Sequence, residues 1–220
     1  MPDMGDSRDA RQPPGPEGQA FRPLVAFDFD GTLTDRDSFT TFLAWRAGPK
    51  YAAAAASLAP AAIGYVFNRD RERLKAAAVR RFLAGMTRAE LESAAQAFAT
   101  ERGRGLLRPD AVRAWRRWQG DGARVLIVTA SPEIVVAPIA RALGAHQLIG
   151  TRLAFDDEDR VTGALDGANC RGPEKVRRLE VLLGPSPRLA AAYGDTRGDR
   201  EMLAIAEMQG FKVFRERPTN

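Results

Sequence analysis

Two residue types that carry much of enzyme chemistry are almost missing from this chain of 220 residues. A single cysteine, Cys170, excludes an internal disulfide and any zinc site built on several thiolates. A single histidine, His146, excludes a two-histidine metal site. It also forces any Ser–His–Asp or Cys–His mechanism through one residue. His146 follows a helix end and a glycine, so it reads as a loop residue. Cys170 falls near Lys175, at the edge of any pocket there, with only general basic surroundings to activate it. No internal repeat is visible, and the N-terminus lacks an apolar secretory core. The stretch "MPDMGDSRDARQPPGPEGQA" is polar and rich in Pro and Gly, so residues 1–21 read as a disordered lead-in. The expected compartment is the cytoplasm.

What is present suits a soluble globular protein: 45% hydrophobic and 28% charged residues. The length allows one large domain, or a core domain carrying an insertion. The formal charge is +5, from 33 Lys+Arg against 28 Asp+Glu. That balance suits an anionic ligand such as a phosphate ester, or an acidic membrane surface, although most arginines fit solvated helix faces. "RAWRRW" at 113–118 reads as one amphipathic helix, and no nucleic-acid partner is expected.

Three apolar runs close on small polar or acidic residues: "PLVAFDFDG" (23–31), "ARVLIVTAS" (123–131) and "RLAAAYGDT" (188–196). Each precedes a helix signal. Ser131 reads as an N-cap with Pro132 in the first turn and Gly144 closing that helix; "RGDREMLAIAE" has an amphipathic pattern. A further helix opens on Pro173 and stops at Gly184. Strands alternating with helices imply an α/β fold with a doubly wound parallel sheet. Ligands of such sheets bind outside the carboxyl ends of the strands. The three runs therefore deliver Asp28 and Asp30, Thr129 and Ser131, and Asp195 and Asp199 to one edge.

The segment between the first two runs is too long for a simple crossover. Residues 38–107 read as a helical cap inserted after the first strand, leaving 22–37 and 108–220 as the catalytic core. Its helices include "RERLKAAAVRRFLAG" and "TRAELESAAQAFAT", the latter opened by a Thr87–Glu90 capping box. "YAAAAASLAPAAIGYVFN" (51–68) carries no charge and has basic flanks, but Pro60 interrupts it. It reads as a helix packed inside the insertion, or as a surface resting on a bilayer. The acidic stretch "FDDEDRVTG" (155–163) lacks EF-hand spacing and reads as a solvated hairpin turn.

Singly, Asp30-Gly31 could end a strand, and Asp199 could favour a helix N-terminus. Together, four carboxylates would share one cleft. A like-charge pair about 4 Å apart costs roughly 4 kcal/mol at an effective dielectric of 20, so the cluster needs a cation. An all-oxygen site with few protein ligands suits Mg²⁺. Mg²⁺ with an aspartate points to phosphoryl transfer through an aspartyl-phosphate. Asp28 is then the nucleophile, and Asp30 moves protons to the leaving oxygen and from water. Thr129 and Lys175 hold the phosphoryl oxygens. Asp195 ligates the metal, and Asp199 either supports the coordination sphere or orients Lys175.

"DFDGTLT", "VTAS", the lysine of "NCRGPEK" and "GDTRGD" resemble, in order, the four motifs of the haloacid dehalogenase superfamily of phosphatases. The resemblance covers residues 22–210. The insertion, with "FLAGMTRAELESAAQAF", is similar to the cap of the phosphoserine phosphatase-like subfamily, which includes phosphatidylglycerophosphatase C-like enzymes. The resemblance implies a Rossmann-like core and a phosphoric monoester hydrolase. It also implies a magnesium ion held by Asp28, Asp195, the Asp30 backbone carbonyl and the Asp199 region. The second aspartate at +2 separates the phosphatases from the dehalogenase branch.

By the same resemblance, Ala130 and Thr129 line the substrate site with Lys175. Asp37 falls where phosphoserine phosphatases carry an acidic residue that meets the substrate amine. Here it is a shorter residue followed by Ser38, and it reads equally as a hinge. The implied substrate is a small phosphorylated metabolite or a lipid phosphate. The latter would place the protein at the inner face of the membrane, with peripheral contact through the cap. Two alternatives stand beside this reading. A signalling module in which a phosphorylated aspartate is merely held would lack an acid at +2 and a cap. A membrane-surface binding protein would use the Ala-rich stretch and leave its carboxylates idle.

Overall fold

The computed structural model describes residues 22–58 and 71–219. The lead-in expected at 1–21, and residues 59–68 of the charge-free stretch, lie outside the described residues. Five parallel strands form the main sheet in the order β3-β2-β1-β6-β7. They are β1 (Leu24–Phe27), β2 (Arg124–Pro132), β3 (Gln147–Thr151), β6 (Leu189–Gly194) and β7 (Ala206–Phe211). The chain runs outward from β1 through β2 to β3, then returns to β1's other side for β6 and β7. The order thus reverses between β1 and β6, the point at which such sheets open a crevice.

Alternate residues of the central strands face opposite layers. Val25, Phe27, Val125, Ile127, Ala191 and Tyr193 enter one core cluster; Ala26, Leu126, Val128 and Ala192 enter the other. On the first face Phe27 stacks on Tyr193 at 4.4 Å and meets Trp115 at 5.1 Å between ring centroids. Trp115 belongs to α5 (Pro109–Gly120), whose arginines Arg113, Arg116 and Arg117 face away from that buried ring. That face also takes α6 (Glu133–Ala142). The second face takes α7 (Pro173–Leu183) and α8 (Arg200–Ala204), through Leu179, Met202 and Leu203.

Between β1 and α5 lie the helices α1 (Ser38–Ala47), α2 (Tyr51–Ala56), α3 (Arg71–Leu83) and α4 (Arg88–Arg102). The chain enters and leaves this insertion side by side. Asp35 N–H donates to the Leu106 carbonyl at 2.9 Å, and Arg108 N–H to the Leu33 carbonyl at 2.8 Å. Phe42, Leu83, Leu91 and Phe98 join the core cluster that contains Phe27, so the insertion shares its apolar interior with the sheet. The capping box of α4 is present: Glu90 N–H donates to Thr87 Oγ1 at 3.2 Å, and Thr87 N–H to Glu90 Oε2 at 2.8 Å. Within the charge-free stretch, α2 places Tyr51 against Phe82 at 5.5 Å; Pro60 lies outside the described residues. No helix among the described residues is long and apolar enough to cross a membrane.

The acidic stretch at 155–163 is a hairpin between β4 (Leu153–Phe155) and β5 (Val161–Leu165). Asp156 closes it by accepting from Arg160 N–H at 2.8 Å. Two sequence expectations need correction. Ser131 does not cap a helix: β2 continues to Pro132, which pairs with Thr151, and α6 starts at Glu133. The Ser131 hydroxyl instead donates to Asp30 Oδ2 at 2.5 Å. Nor does the amphipathic segment after Asp195 run on as one helix. α8 ends at Ala204 because Ala206–Phe211 pairs in parallel with β6 as an edge strand.

Candidate active site

A cavity of about 310 Å³ opens at the carboxyl ends of β1, β2 and β6. Asp28 follows β1, and its N–H donates to the Tyr193 carbonyl at 2.9 Å, which ties the turn to β6. The chain then makes one wide turn through Phe29–Leu33, with Gly31 at φ +84°. A side chain at Gly31 would collide with the Asp195 carboxylate, so glycine here sets the separation between the two strand ends. Thr32 Oγ1 donates back to Asp28 Oδ2 at 3.2 Å.

Lys175 is the electrostatic centre. It sits in the first turn of α7, 1% exposed, and donates to Asp28 Oδ1 and Asp199 Oδ1 at 2.7 Å each and to the Val128 carbonyl at 2.6 Å. Burial would deprotonate this ammonium, but Asp28 and Asp199 outweigh it and hold its pKa above the ordinary value. For Asp199, burial is likewise outweighed by Lys175, and its carboxyl stays below the ordinary range. Its Oδ2 accepts from Thr196 N–H at 2.8 Å and Thr196 Oγ1 at 2.9 Å. Asp199 therefore braces both the lysine and the loop that carries Asp195.

The remaining carboxylates are short of positive charge. Burial pushes Asp28 up to about 7 despite Lys175, and pushes Asp195 up to about 6 with Asp28 and Asp199 adding to the rise. Asp195 Oδ1 is buried and has no hydrogen-bond partner. Carboxylate oxygens of Asp28, Asp195 and Asp199 lie within 4.8 Å of one another. An orphaned buried oxygen inside an all-oxygen donor set fits a hard divalent cation.

Asp30 stands apart from this cluster. Its Oδ1 accepts from Ser38 N–H at 2.7 Å and its Oδ2 from Ser131 Oγ. Burial first, and then Asp37, push it up to about 6. That value suits a group that must both give and take a proton near neutrality. The first residue of α1 thus holds the side chain expected to move protons.

The other expected residues are distributed unevenly. Thr129 is fully buried; its Oγ1 accepts from Ser131 N–H at 3.0 Å, and it is not among the residues lining the cavity. The Ala130 carbonyl accepts from Thr151 Oγ1 at 2.7 Å and from Lys75 Nζ. Asp37 lies at the cavity rim and caps α1, its Oδ1 accepting from Thr40 N–H at 2.6 Å. Cys170 is buried in the second core cluster, not in the cavity wall, and burial pushes its thiol up to about 11. His146 is an exposed residue after α6, its Nδ1 accepting from Val125 N–H at 3.1 Å.

Sequence reasoning missed Arg36, Lys75, Asn169, Arg171 and Thr196, which also line the cavity. Thr196 had a local signal, since "TRGD" is a capping box that places a hydroxyl and a carboxylate on the same turn. Lys75 had none, because its role depends on how α3 docks against the sheet.

A family model described as haloacid dehalogenase-like hydrolase matches residues 25–204. The chain belongs to the haloacid dehalogenase-like hydrolases. Protein CicA of Caulobacter vibrioides is 59% identical over 195 residues, covering 89% of this chain and 88% of its own. A phosphoserine phosphatase of Halobacterium salinarum is 32% identical over 188 residues, covering 83% of this chain and 82% of its own. Among solved structures, a protein of unknown function from Bordetella pertussis superposes with a TM-score of 0.71 at 27% identity, covering 86% of this chain and 88% of that one. This chain is a phosphatase of the haloacid dehalogenase-like family. The fold and the enzyme class expected from the sequence are both borne out.

Proposed function

We propose that this protein is a Mg²⁺-dependent phosphomonoester hydrolase that works through an aspartyl-phosphate on Asp28. The observation that carries the reading is Lys175, bonded at 2.7 Å to both Asp28 and Asp199 beside the orphaned Asp195 Oδ1. Asp28, Asp195 and the Asp30 backbone carbonyl would hold the metal, with Asp199 as their support. When bound, Mg²⁺ supplies positive charge that keeps Asp28 ionised and offsets charge on the phosphoryl oxygens.

Asp28 attacks phosphorus as the bond to the leaving oxygen breaks, and Asp30 gives that oxygen its proton. Asp30, now ionised, takes a proton from a water molecule that attacks the aspartyl-phosphate, returning Asp28 and releasing inorganic phosphate. Ser131 and the Ser38 amide hold Asp30 for both transfers. Thr129, the Ala130 backbone and Lys175 would meet the phosphoryl group, and Asp37 stands at the entrance as rim or hinge. Residues 38–107 act as the cap that excludes bulk water during the reaction.

The cavity's 310 Å³ suits a small phosphorylated metabolite or the headgroup of a lipid phosphate. The compartment proposed is the cytoplasm, with peripheral membrane contact only if the substrate is a lipid. The test is phosphate release by the purified protein across phosphoserine, sugar phosphates, nucleotides and phosphatidylglycerophosphate, with Mg²⁺ and with EDTA. Turnover should require Mg²⁺, and acid-quenched enzyme should carry phosphate that hydroxylamine removes. Turnover that persists in EDTA, or a phosphoenzyme resistant to hydroxylamine, would refute the mechanism.

A further inference from the structure

A second concave site lies away from the carboxylates. A cavity of about 620 Å³ is walled by α4 of the insertion, by α5 and α6 of the core, and by the turn that joins α4 to α5. It shares no lining residue with the catalytic cavity. Its volume is that of a small-molecule site, and clefts between packed helices commonly hold one. Leu107, Val112 and Leu143, each half-buried, and the buried Ile139 supply its apolar wall.

Charge in this cavity has one sign. Arg104, Arg113 and Arg116 line it, and no aspartate or glutamate does. The cavity of about 510 Å³ on the other side of α6 is balanced, with Arg88, Arg141 and Arg152 against Glu92, Glu133 and Asp166. There Arg152 pairs with Asp166 at 3.3 Å, and Arg88 with Asp159 at 2.9 Å. Of the three arginines in the one-signed cavity only Arg113 has a partner, Glu216 of the C-terminal segment at 2.5 Å. Among the described residues Arg104 and Arg116 form no ion pair. One guanidinium thus already holds a carboxylate from elsewhere in the chain, and two beside it hold none. Guanidinium groups next to an apolar wall match a carboxylate head with an apolar chain. Fourteen residues line the cavity, against about 20–30 on each side of a stable protein interface.

We propose that this cavity binds a single-chain anionic amphiphile, a fatty-acid anion. Its carboxylate lies among Arg104, Arg113 and Arg116, and its chain along Leu107, Val112, Ile139 and Leu143. The site goes beyond the hydrolase reading and does not depend on it, since no catalytic side chain lines it. The ligand touches α4 of the insertion together with α5 and α6 of the core, and so ties the two.

The test is calorimetric titration of the full chain with dodecanoate below its micelle concentration. Dodecanoate should bind one to one. Dodecyltrimethylammonium, with the same chain and the opposite charge, should bind at least about tenfold more weakly, the worth of one charge-assisted hydrogen bond. Decanoate, two methylenes shorter, should also bind about tenfold more weakly. The double variant Arg104→Met, Arg116→Met should weaken dodecanoate about tenfold. Arg117→Met makes the same change on α5 outside this cavity and should leave the Kd within about twofold. All three arginines are exposed, so the variants should fold, which circular dichroism checks.

Equal affinity for dodecanoate and dodecyltrimethylammonium would overturn the site. A loss in Arg117→Met as large as in the double variant would do so too, because it would mean adsorption to a basic surface. Absence of dodecanoate binding would refute it outright. Vesicles containing phosphatidylglycerol supply the last arm. Co-sedimentation that the double variant abolishes, without binding of dodecanoate monomers, would give these arginines to a bilayer and overturn the cavity ligand.

Discussion

The two walls of the cavity are held by opposite means. On the sheet side, each charge is fixed by neighbours close in the chain or on the adjoining strand end. Lys175 joins Asp28 to Asp199, Asp199 ties Thr196, and the Asp28 amide is pinned to Tyr193. On the insertion side, Lys75 reaches acceptors 55 and 94 residues away, and both are neutral. The sheet edge meets its own charges, apart from the unpartnered Asp195 Oδ1. On the insertion side Asp30 and Asp37 offset part of the cost of burying Lys75 without forming an ion pair with it. The sheet wall is therefore fixed locally, and the insertion wall by how α3 docks against it.

The largest effects should come from the sheet side. Asp28→Asn should lower kcat at least about a thousandfold, as loss of a nucleophile does. Lys175 keeps Asp199 as its partner, so the fold should survive; circular dichroism and phosphate release check both. Wild-type activity in a well-folded Asp28→Asn protein would refute the nucleophile assignment. Lys175→Met should cost stability as well, because it strands two buried carboxylates. Breaking one side of a buried ion pair costs about 3–5 kcal/mol, which urea unfolding would report. A loss below about 1 kcal/mol would mean that the carboxylates find other partners and that the lysine is not the centre of the wall.

This asymmetry also explains what was legible in the sequence. β1, β2 and β6 are short apolar runs ending in acids or hydroxyls, so their order and common edge could be read directly, as could Asp28, Asp30, Lys175, Asp195 and Asp199. β3 and β7 could not be read so easily. "QLIGT" is brief, and the amphipathic pattern of "RGDREMLAIAE" reaches Ala206 and Glu207, where pairing with β6 overrides it. Ser131 has the composition of a helix cap, yet a carboxylate across the cavity claims its hydroxyl. Lys75 and Arg171 look like ordinary solvated charges in their own segments. Only the packing of α3 against the 169–171 loop brings them together.

Acidity sharpens the contrast next. Asp28 at about 7, and Asp30 and Asp195 at about 6, all lie above their ordinary 3.8, chiefly through burial. A raised carboxyl binds its proton more tightly folded than unfolded. Its contribution is therefore fully present below about pH 4 and is lost as pH rises through 6 to 7. The metal-free protein should lose stability from these groups across that window. Mg²⁺ would compete with the protons of Asp28 and Asp195, so its stabilisation should grow with pH. At saturating Mg²⁺ the melting temperature should rise by about 5–10 °C at pH 7.5 and by much less at pH 5.5. Thermal melts in EDTA and in MgCl₂ at both values decide it, and an equal increment at the two would count against a metal on these carboxylates.

The smallest effect belongs to the outer seam, where the insertion meets the hairpin. Arg88 lies over the Phe155 ring at 3.7 Å, and its Nε donates to Asp159 Oδ1 at 2.9 Å, with both charged groups largely exposed. Such exposed pairs contribute about 0–1 kcal/mol and weaken with salt. The backbone also makes the seam: Gly85 N–H to the Val161 carbonyl, Val161 N–H to the Met86 carbonyl and Arg88 N–H to the Asp159 carbonyl, at 2.8–2.9 Å. Arg88→Ala removes none of these bonds. It should cost about 0.5–1 kcal/mol in urea unfolding, and less in high salt. A loss above about 2 kcal/mol would show that side chains, not the paired backbone, hold the insertion against the core. The orientation of Lys75 would then depend on a contact at the far end of α3.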